Sequence, residues 1–295
     1  SHTTTYGCVG AFSTGIGYTE MAAVLGTGEI WLRVPETIRI EINGKLPANV
    51  MSKDVILRII GDLTAAGATY RALEFTGDTV EAMSLSSRMT MANMGIEAGA
   101  KCALFAPDEK TAEYLGIELT AAERALAGDA DAPCERVLRY RAEDFVPVMA
   151  LPSNVDHVAA IRDLEPVAID QVFLGSCTNG RLEDLMAAAE ILKGKHIAPF
   201  VKLIVTPASR KIWEEAEANG TLAILSAAGA MITHPSCGLC CGRTGGILSD
   251  GERVVATNNR NFLGRMGSSK VEIYLASPKS AAASALTGRL TEATC

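Results

Sequence analysis

The sequence predicts an α/β protein in which strands and helices alternate along the chain. Three observations carry that expectation. Short apolar runs recur between amphipathic stretches, which is the pattern of strands followed by helices. Gly and Asn punctuate the boundaries between them. The 295 residues, 48% of them apolar, are enough to bury a large core and to form roughly two domains.

Taken in order, a helix is expected around Gly17 to Gly26. The alternation in Glu29–Val34 and Thr37–Ile42 reads as two short strands, and Asn43-Gly44 marks a turn. Ser52 is placed to cap a helix through about Ala66, since Val55, Ile56, Ile59, Ile60 and Leu63 share one face. A strand over Tyr70–Phe75, a helix over Ser84–Gly99 and a strand over Cys102–Ala106 continue the rhythm. Residues 107–165 are less regular, and Gly128-Asp129-Ala130-Asp131-Ala132-Pro133 looks like a linker. The alternation then returns: strand Ile169–Leu174, loop Gly175–Gly180, helix Arg181–Leu192, strand Val201–Val205, and helices over Ser209–Ala218 and Thr221–Ala228. A loop at His234–Gly246, a strand at Val254–Thr257, a loop at Asn258–Gly267, a strand at Val271–Leu275 and a last helix complete the chain.

A net charge of −7 argues against nucleic-acid binding, which needs clustered Lys and Arg. It leaves an anionic small molecule open, because a few Arg residues in a cleft outweigh the global charge locally. No apolar run reaches the ~18 residues of a membrane span, and no signal peptide is visible. Eight unevenly spread Cys fit a reducing compartment, the cytoplasm, better than a secreted disulfide scaffold. The opening Ser1-His2-Thr3 reads as the middle of a domain, so an upstream part is expected to be missing.

Three Cys stand out by position. Cys177 lies in Gly175-Ser176-Cys177-Thr178-Asn179-Gly180, just past the carboxyl end of a strand of the buried type, where open α/β sheets bind ligands. Cys237 and Cys240 form a Cys-x-x-Cys whose spacing lets two thiolates converge on one metal centre. On spacing alone, a zinc site, a thioredoxin-like redox pair and three buried structural cysteines all stay open.

The surroundings narrow this. The segment Val172–Leu185 around Cys177 resembles the first cluster-ligand segment of the aconitase/isopropylmalate isomerase family, and Cys237-Gly238-Leu239-Cys240 resembles its second. Asn259-Arg260-Asn261-Phe262-Leu263-Gly264-Arg265 matches the family's Asn-Arg-Asn-Phe-x-Gly-Arg loop. Ser1-His2-Thr3 resembles the end of its Asp-Ser-His-Thr loop, and Asn93-Met94-Gly95-Ile96-Glu97 its Asn-Met-x-x-Glu helix. Five motifs in the family's order, spread over nearly the whole chain, make the resemblance specific.

The resemblance implies aconitase-type iron–sulfur domains with mixed sheets flanked by helices and with the N-terminal part of the first domain missing. It implies the tail of a first domain over residues 1–35, a second domain over 36–125, a linker region over 126–159 and a cluster-binding domain over 160–295. It also implies a [4Fe–4S] cluster on Cys177, Cys237 and Cys240, and a hydro-lyase reaction on a 2-hydroxy dicarboxylate. His2 and Glu97 are carried over as catalytic groups. Ser1, Asn93, Arg260 and Arg265 become substrate-binding residues, with Asn179 and Asn259 supporting the cluster and its ligands. Arg suits carboxylates because its planar fork grips them bidentately. A separate small subunit with a swivelling domain and a serine base is the implied partner. Departures are visible: Leu239 stands where a Pro is common, Arg243-Thr244 stands where relatives of the isopropylmalate branch often carry Gly-His, and Cys241 follows Cys240 directly, where it reads as a spectator thiol ahead of an alternative ligand in an oxidised cluster. A cluster-free binding protein and a zinc-holding structural protein are the competing readings.

Overall fold

A computed structural model of the chain describes residues 2–129 and 131–294. It divides into two compact units, Ser1–Lys45 with Ala66–Ala142, and Leu46–Ala65 with Glu143–Cys295. Both are α/β. Among the described residues no helix is long and apolar enough to cross a membrane.

The first unit is built on a four-stranded parallel sheet. Its strands are β1 (Thr37–Asn43), β2 (Ala72–Thr76), β3 (Cys102–Phe105) and β4 (Arg136–Arg141), in the order β3-β2-β1-β4. Ile38, Ile40 and Ile42 alternate onto one fully buried face, whereas Thr37, Arg39 and Glu41 take the half-open one. Against β3 lies a 3₁₀ helix, His2–Val9, and the packing is close. A Cβ on Gly7 would sit 1.8 Å from the Ala103 carbonyl oxygen, so any larger residue would push the His2 segment off the strand.

The second unit carries seven strands: β5 (Val148–Ala150), β6 (Val158–Ala160), β7 (Gln171–Gly175), β8 (Lys202–Thr206), β9 (Met231–Ile232), β10 (Arg253–Ala256) and β11 (Glu272–Leu275). They run in the order β6-β5-β11-β10-β7-β8-β9, with β5 and β6 antiparallel at one edge and the other five parallel. From β7 the chain proceeds to β8 and β9 on one side, then returns to β10 and β11 on the other. The strand order therefore reverses between β7 and β10, and at such a switch point the carboxyl ends leave a crevice. Val172, Leu174, Val205 and Val255 join Leu185, Ala188, Leu192 and Leu225 of the covering helices in one core.

Several local expectations change. Glu29–Val34 forms no strand; its side chains are all exposed and no sheet edge meets it. Ser52 is the first residue of the helix Ser52–Leu63, and the carboxylate of Asp54 caps the chain by accepting from the Met51 N–H at 2.8 Å. The loop at Gly175–Gly180 contains one helical turn, Ser176–Asn179. The units also divide the chain differently from the boundaries implied by resemblance. Residues 2–35 share a unit with β1–β4, the helix Ser52–Leu63 belongs to the second unit, and region 126–159 supplies β4, β5 and β6. β4 has no buried residue and is Arg-rich, and β5 and β6 are three residues each, so none shows a periodicity that sequence reading detects.

Candidate active site

Three loops of the second unit bear the singled-out residues, and they follow β7, β9 and β10. Cys177 sits in the single helical turn that ends β7, and its side chain is exposed. The turn is set by Ser176, a non-Gly residue at φ 71°, whose left-handed backbone stores strain at the residue before the cysteine. Arg181, 6% exposed, holds the turn by donating from Nη2 to the Cys177 carbonyl at 2.6 Å and from Nη1 to the Thr178 carbonyl. Asp184 supports both flanks, accepting from Asn179 Nδ2 at 3.0 Å and from the Arg181 N–H at 3.1 Å. Burial pushes the Asp184 carboxyl up to about 6, against the pull of Arg181 and Asn179.

The second loop places Cys237 at the surface and Cys240 in the interior, joined by the 3₁₀ turn Gly238–Cys241. Gly238 adopts φ 53° and lies directly on the ends of β7 and β8. A Cβ there would stand 2.6 Å from Thr206 Oγ1 and 2.9 Å from the Phe173 ring. The Thr244 hydroxyl donates to the Gly238 carbonyl at 2.8 Å and the Gly238 N–H donates to Ser236 Oγ at 2.9 Å, which fixes the loop from both sides.

The third loop is anchored from below by a buried cation. Lys53, with no exposed surface, donates from Nζ to the carbonyls of Thr257 at 3.0 Å and Asn258 at 2.6 Å, the two residues before Asn259-Arg260. Its neighbour Asp54 accepts from the Val148 N–H at 3.1 Å, and burial pushes its carboxyl up to about 7. Asn261 donates to the carbonyls of Leu151, Asn154 and Ile273, tying the loop to the antiparallel edge. β7 and β10 are joined where they diverge, by Gly175 N–H donating to Thr257 Oγ1 at 2.9 Å.

These loops meet at the cysteines. Arg265 Nη2 reaches Cys240 Sγ at 3.4 Å, and Asn258 Nδ2 donates to the Cys240 carbonyl at 3.4 Å. Burial pushes the Cys237 thiol up, and Cys240, Cys241 and Cys177 push it in the same direction, while the Arg265 guanidinium opposes them. Four thiols and one Arg thus share a local field. Among the described residues, nothing bonds the buried Asn258 Oδ1 or Arg265 Nε. Arg260 and Asn259 stand on the same loop, Arg260 half-buried and Asn259 fully buried.

Among the described residues, no group of three or more His, Cys, Asp or Glu side chains is placed to hold a metal ion. Thiolates that share one zinc at bonds of about 2.3 Å must lie within about 4 Å of one another. Thiolates that hold an iron–sulfur cluster bind different irons and stay further apart. The donor set here is rich in sulfur and its thiols interact with one another, and thiolates are the donors an iron–sulfur cluster takes.

In the first unit, His2 and Glu97 come together. His2 Nε2 donates to Glu97 Oε1 at 2.9 Å, with 17% and 8% of the two side chains exposed. Asn93 is fully buried; its Nδ2 donates to Thr5 Oγ1 at 2.9 Å, and Thr5 Oγ1 donates to the His2 carbonyl at 2.6 Å. The side chain expected to bind substrate therefore also braces the His2 turn. Ser1 lies outside the described residues. Sequence reading missed Lys53, Asp54, Arg181 and Asp184; of these, Arg181 and Asp184 were detectable as a helix-cap pair three residues apart.

The profile of the "Aconitase family (aconitate hydratase)" matches residues 1–167 and 153–288. "3-isopropylmalate dehydratase large subunit 1" of Methanopyrus kandleri is 51% identical over 292 residues, covering 99% of this chain and 70% of its own length. "3-isopropylmalate dehydratase large subunit 2" of Archaeoglobus fulgidus is 47% identical over 293 residues, with the same coverage of both chains. The corresponding large subunit of Heliobacterium modesticaldum is 47% identical over 290 residues, covering 98% of this chain and 69% of its own. With the profile spanning both units and the cysteine and arginine loops gathered at the switch point, the chain belongs to the aconitase family.

Proposed function

We propose that this chain is the iron–sulfur large subunit of a hydro-lyase that interconverts 2- and 3-isopropylmalate through their dehydrated intermediate, a step of leucine biosynthesis. The observation that carries this reading is the common field of Cys177, Cys237, Cys240 and Arg265 at the β7/β10 switch point. Relatives whose printed names give the same activity, at 47–51% identity, support the substrate. Homoaconitate, citramalate and 2,3-dimethylmalate are the alternative substrates.

Cys177, Cys237 and Cys240 would hold a [4Fe–4S] cluster, and Cys241 would remain a spectator. With three thiolates for four irons, the bound cluster supplies a Lewis acid with one open position. The remaining roles belong to the chain. Arg260 and Arg265 grip carboxylates; Arg265 Nε, which nothing among the described residues bonds, and its Nη2 give a fork of adjacent donors. Asn259 and Asn179 orient the surrounding loops. His2, with its Nε2 held on Glu97, is suited to pass a proton to a departing hydroxyl, because the carboxylate fixes the orientation of the ring. Asn93 keeps that segment in place through Thr5. Ser1 takes a carboxylate of the substrate in this reading. The relatives' designation as large subunits supports a small-subunit partner, which would bring the serine base.

The test is anaerobic reconstitution with iron and sulfide, then assay with the cognate small subunit against 2-hydroxy dicarboxylates. Iron and acid-labile sulfide in near-equal amounts, with fastest turnover on isopropylmalate, is the expected result. Zinc without sulfide would make this a structural site, and neither metal nor sulfide would make the chain a binding protein.

A further inference from the structure

Lys53 has no local reason to be where it is. It is the second residue of the helix Ser52–Leu63, at the end where aligned peptide dipoles disfavour a positive charge, and it has no exposed surface. Taking an ammonium out of water is costly, and an apolar residue of similar length would fill the same space without that cost. What an apolar residue lacks is the donors. Nζ donates to the carbonyls of Thr257 at 3.0 Å and Asn258 at 2.6 Å, where β10 ends and the arginine loop begins.

Both residues it holds pass the constraint on. Thr257 donates its N–H to the Phe173 carbonyl at 3.0 Å, and its Oγ1 accepts from the Gly175 N–H at 2.9 Å, two residues before Cys177. Asn258, fully buried, donates from Nδ2 to the Cys240 carbonyl at 3.4 Å. Asn259, Arg260 and Asn261 follow in the chain, and the loop comes back at Arg265, whose Nη2 reaches Cys240 Sγ at 3.4 Å. One buried ammonium thus bears on the Cys177 turn, the Cys240 turn and the arginine loop together.

We propose that Lys53 is a positioning residue of this site: by holding the Thr257 and Asn258 carbonyls, it sets the arginine loop against the two cysteine turns. Its part in turnover rests on the reading of Arg260 and Arg265 as carboxylate grips, since only then does a misplaced loop weaken substrate. Without the donors, two buried carbonyls must turn toward other partners. Asn258 then loses its hold on the Cys240 turn, and the two guanidiniums are no longer preset for a dicarboxylate. Neither consequence requires the helix or the core of the unit to open.

Two variants test this: Lys53→Met keeps the length and removes the donors, and Lys53→Ala leaves a gap. Leu192→Ala, a core truncation at the far end of the helix that follows Cys177, controls for lost stability alone. In the chain free of iron and sulfide, iodoacetamide should alkylate the buried Cys240 about fivefold faster or more in both Lys53 variants, read by peptide mass, and no faster in the control. After reconstitution with iron, sulfide and the small subunit, KM for isopropylmalate should rise about tenfold or more, with a smaller change in kcat, again only in the Lys53 variants. If the wild type turns over no dicarboxylate, the hydro-lyase reading fails, and the alkylation rates alone decide the role of Lys53. Wild-type alkylation in a folded Lys53 variant overturns the proposal, as does an equal rise in Leu192→Ala or a wild-type KM in an active Lys53 variant. Failure of both Lys53 variants to fold also overturns it, because the residue would then be structural.

Discussion

Raising the pH from about 4 to about 7 should weaken the second unit, and Asp54 should account for most of the loss. Its carboxyl is fully buried and its pKa stands at about 7, against an ordinary value of 3.8. The unfolded chain therefore releases this proton near pH 4, whereas the folded unit keeps it until about pH 7. Between those limits the folded state binds more protons, so stability falls as pH rises; below the window the contribution is full, and above it the loss is complete. Roughly three pKa units at 1.36 kcal/mol each give about 4 kcal/mol as an upper bound. Asp184, raised to about 6, acts in the same direction with roughly 3 kcal/mol. Asp54→Asn removes the titration. It also leaves one of the Met51 and Val148 N–H groups without an acceptor, at a cost of about 1–3 kcal/mol at every pH. The variant should thus be weaker than wild type at pH 4.5 and approach or exceed it by pH 7.5. Urea unfolding followed by tryptophan fluorescence reads this directly. Of the two Trp residues, Trp31 is already 83% exposed, and Trp213 lies half-buried in the second unit. A wild-type midpoint that rises over this pH range, or an unchanged slope in Asp54→Asn, would refute the reasoning.

The other predictions concern the site. Cys177→Ser, Cys237→Ser and Cys240→Ser should each abolish retention of iron and sulfide after reconstitution, whereas Ala at Cys8, Cys102 or Cys134 should not; iron analysis of the six proteins decides it. Arg265→Lys preserves charge and loses the fork, so kcat/KM with isopropylmalate should fall about 10–100-fold, the equivalent of about 1.5–3 kcal/mol, with visible absorption retained. Equal kinetics would remove Arg265 from carboxylate binding. An iron without a protein thiolate should leave first on exposure to air, so activity should decay and return with ferrous iron and a reductant; indifference to air and chelators would argue against the open position. Gly238→Ala forces a Cβ against Thr206 and Phe173 at φ 53° and should lower the unfolding midpoint while slowing cluster uptake, both measurable on one preparation.

Much of the site was legible because its residues lie in runs whose types are constrained locally. The apolar run before Cys177 has the length and β-branched content of a buried strand, and the Cys-x-x-Cys and the two loop arginines have fixed spacings. What stayed illegible depends on distant packing. Ser52-Lys53-Asp54 reads as an ordinary polar first turn of a helix, yet Lys53 and Asp54 are both fully buried by segments near residues 148 and 257. Glu29–Val34 carries a strand's alternation without a neighbouring edge to complete it, and β4 carries almost none but finds β1. Periodicity reports what a segment can bury, and pairing partners decide whether it does.

The placement of residues 46–65 also sets an order of events during synthesis. This stretch leaves the ribosome between β1 and β2 but completes the other unit. Lys53 precedes the carbonyls it will hold by 204 and 205 positions. At translation speeds of about 5–20 residues per second, its ammonium must wait roughly 10–40 s in water before a dry berth exists. During that interval the Ile- and Leu-bearing face of Ser52–Leu63 has no final partner and is open to chaperones or to neighbouring chains. Cutting the gene after β4 would strand this helix with the wrong half. Expression of the second unit alone should therefore require residues 46–65 to be supplied, either in trans or by circular permutation.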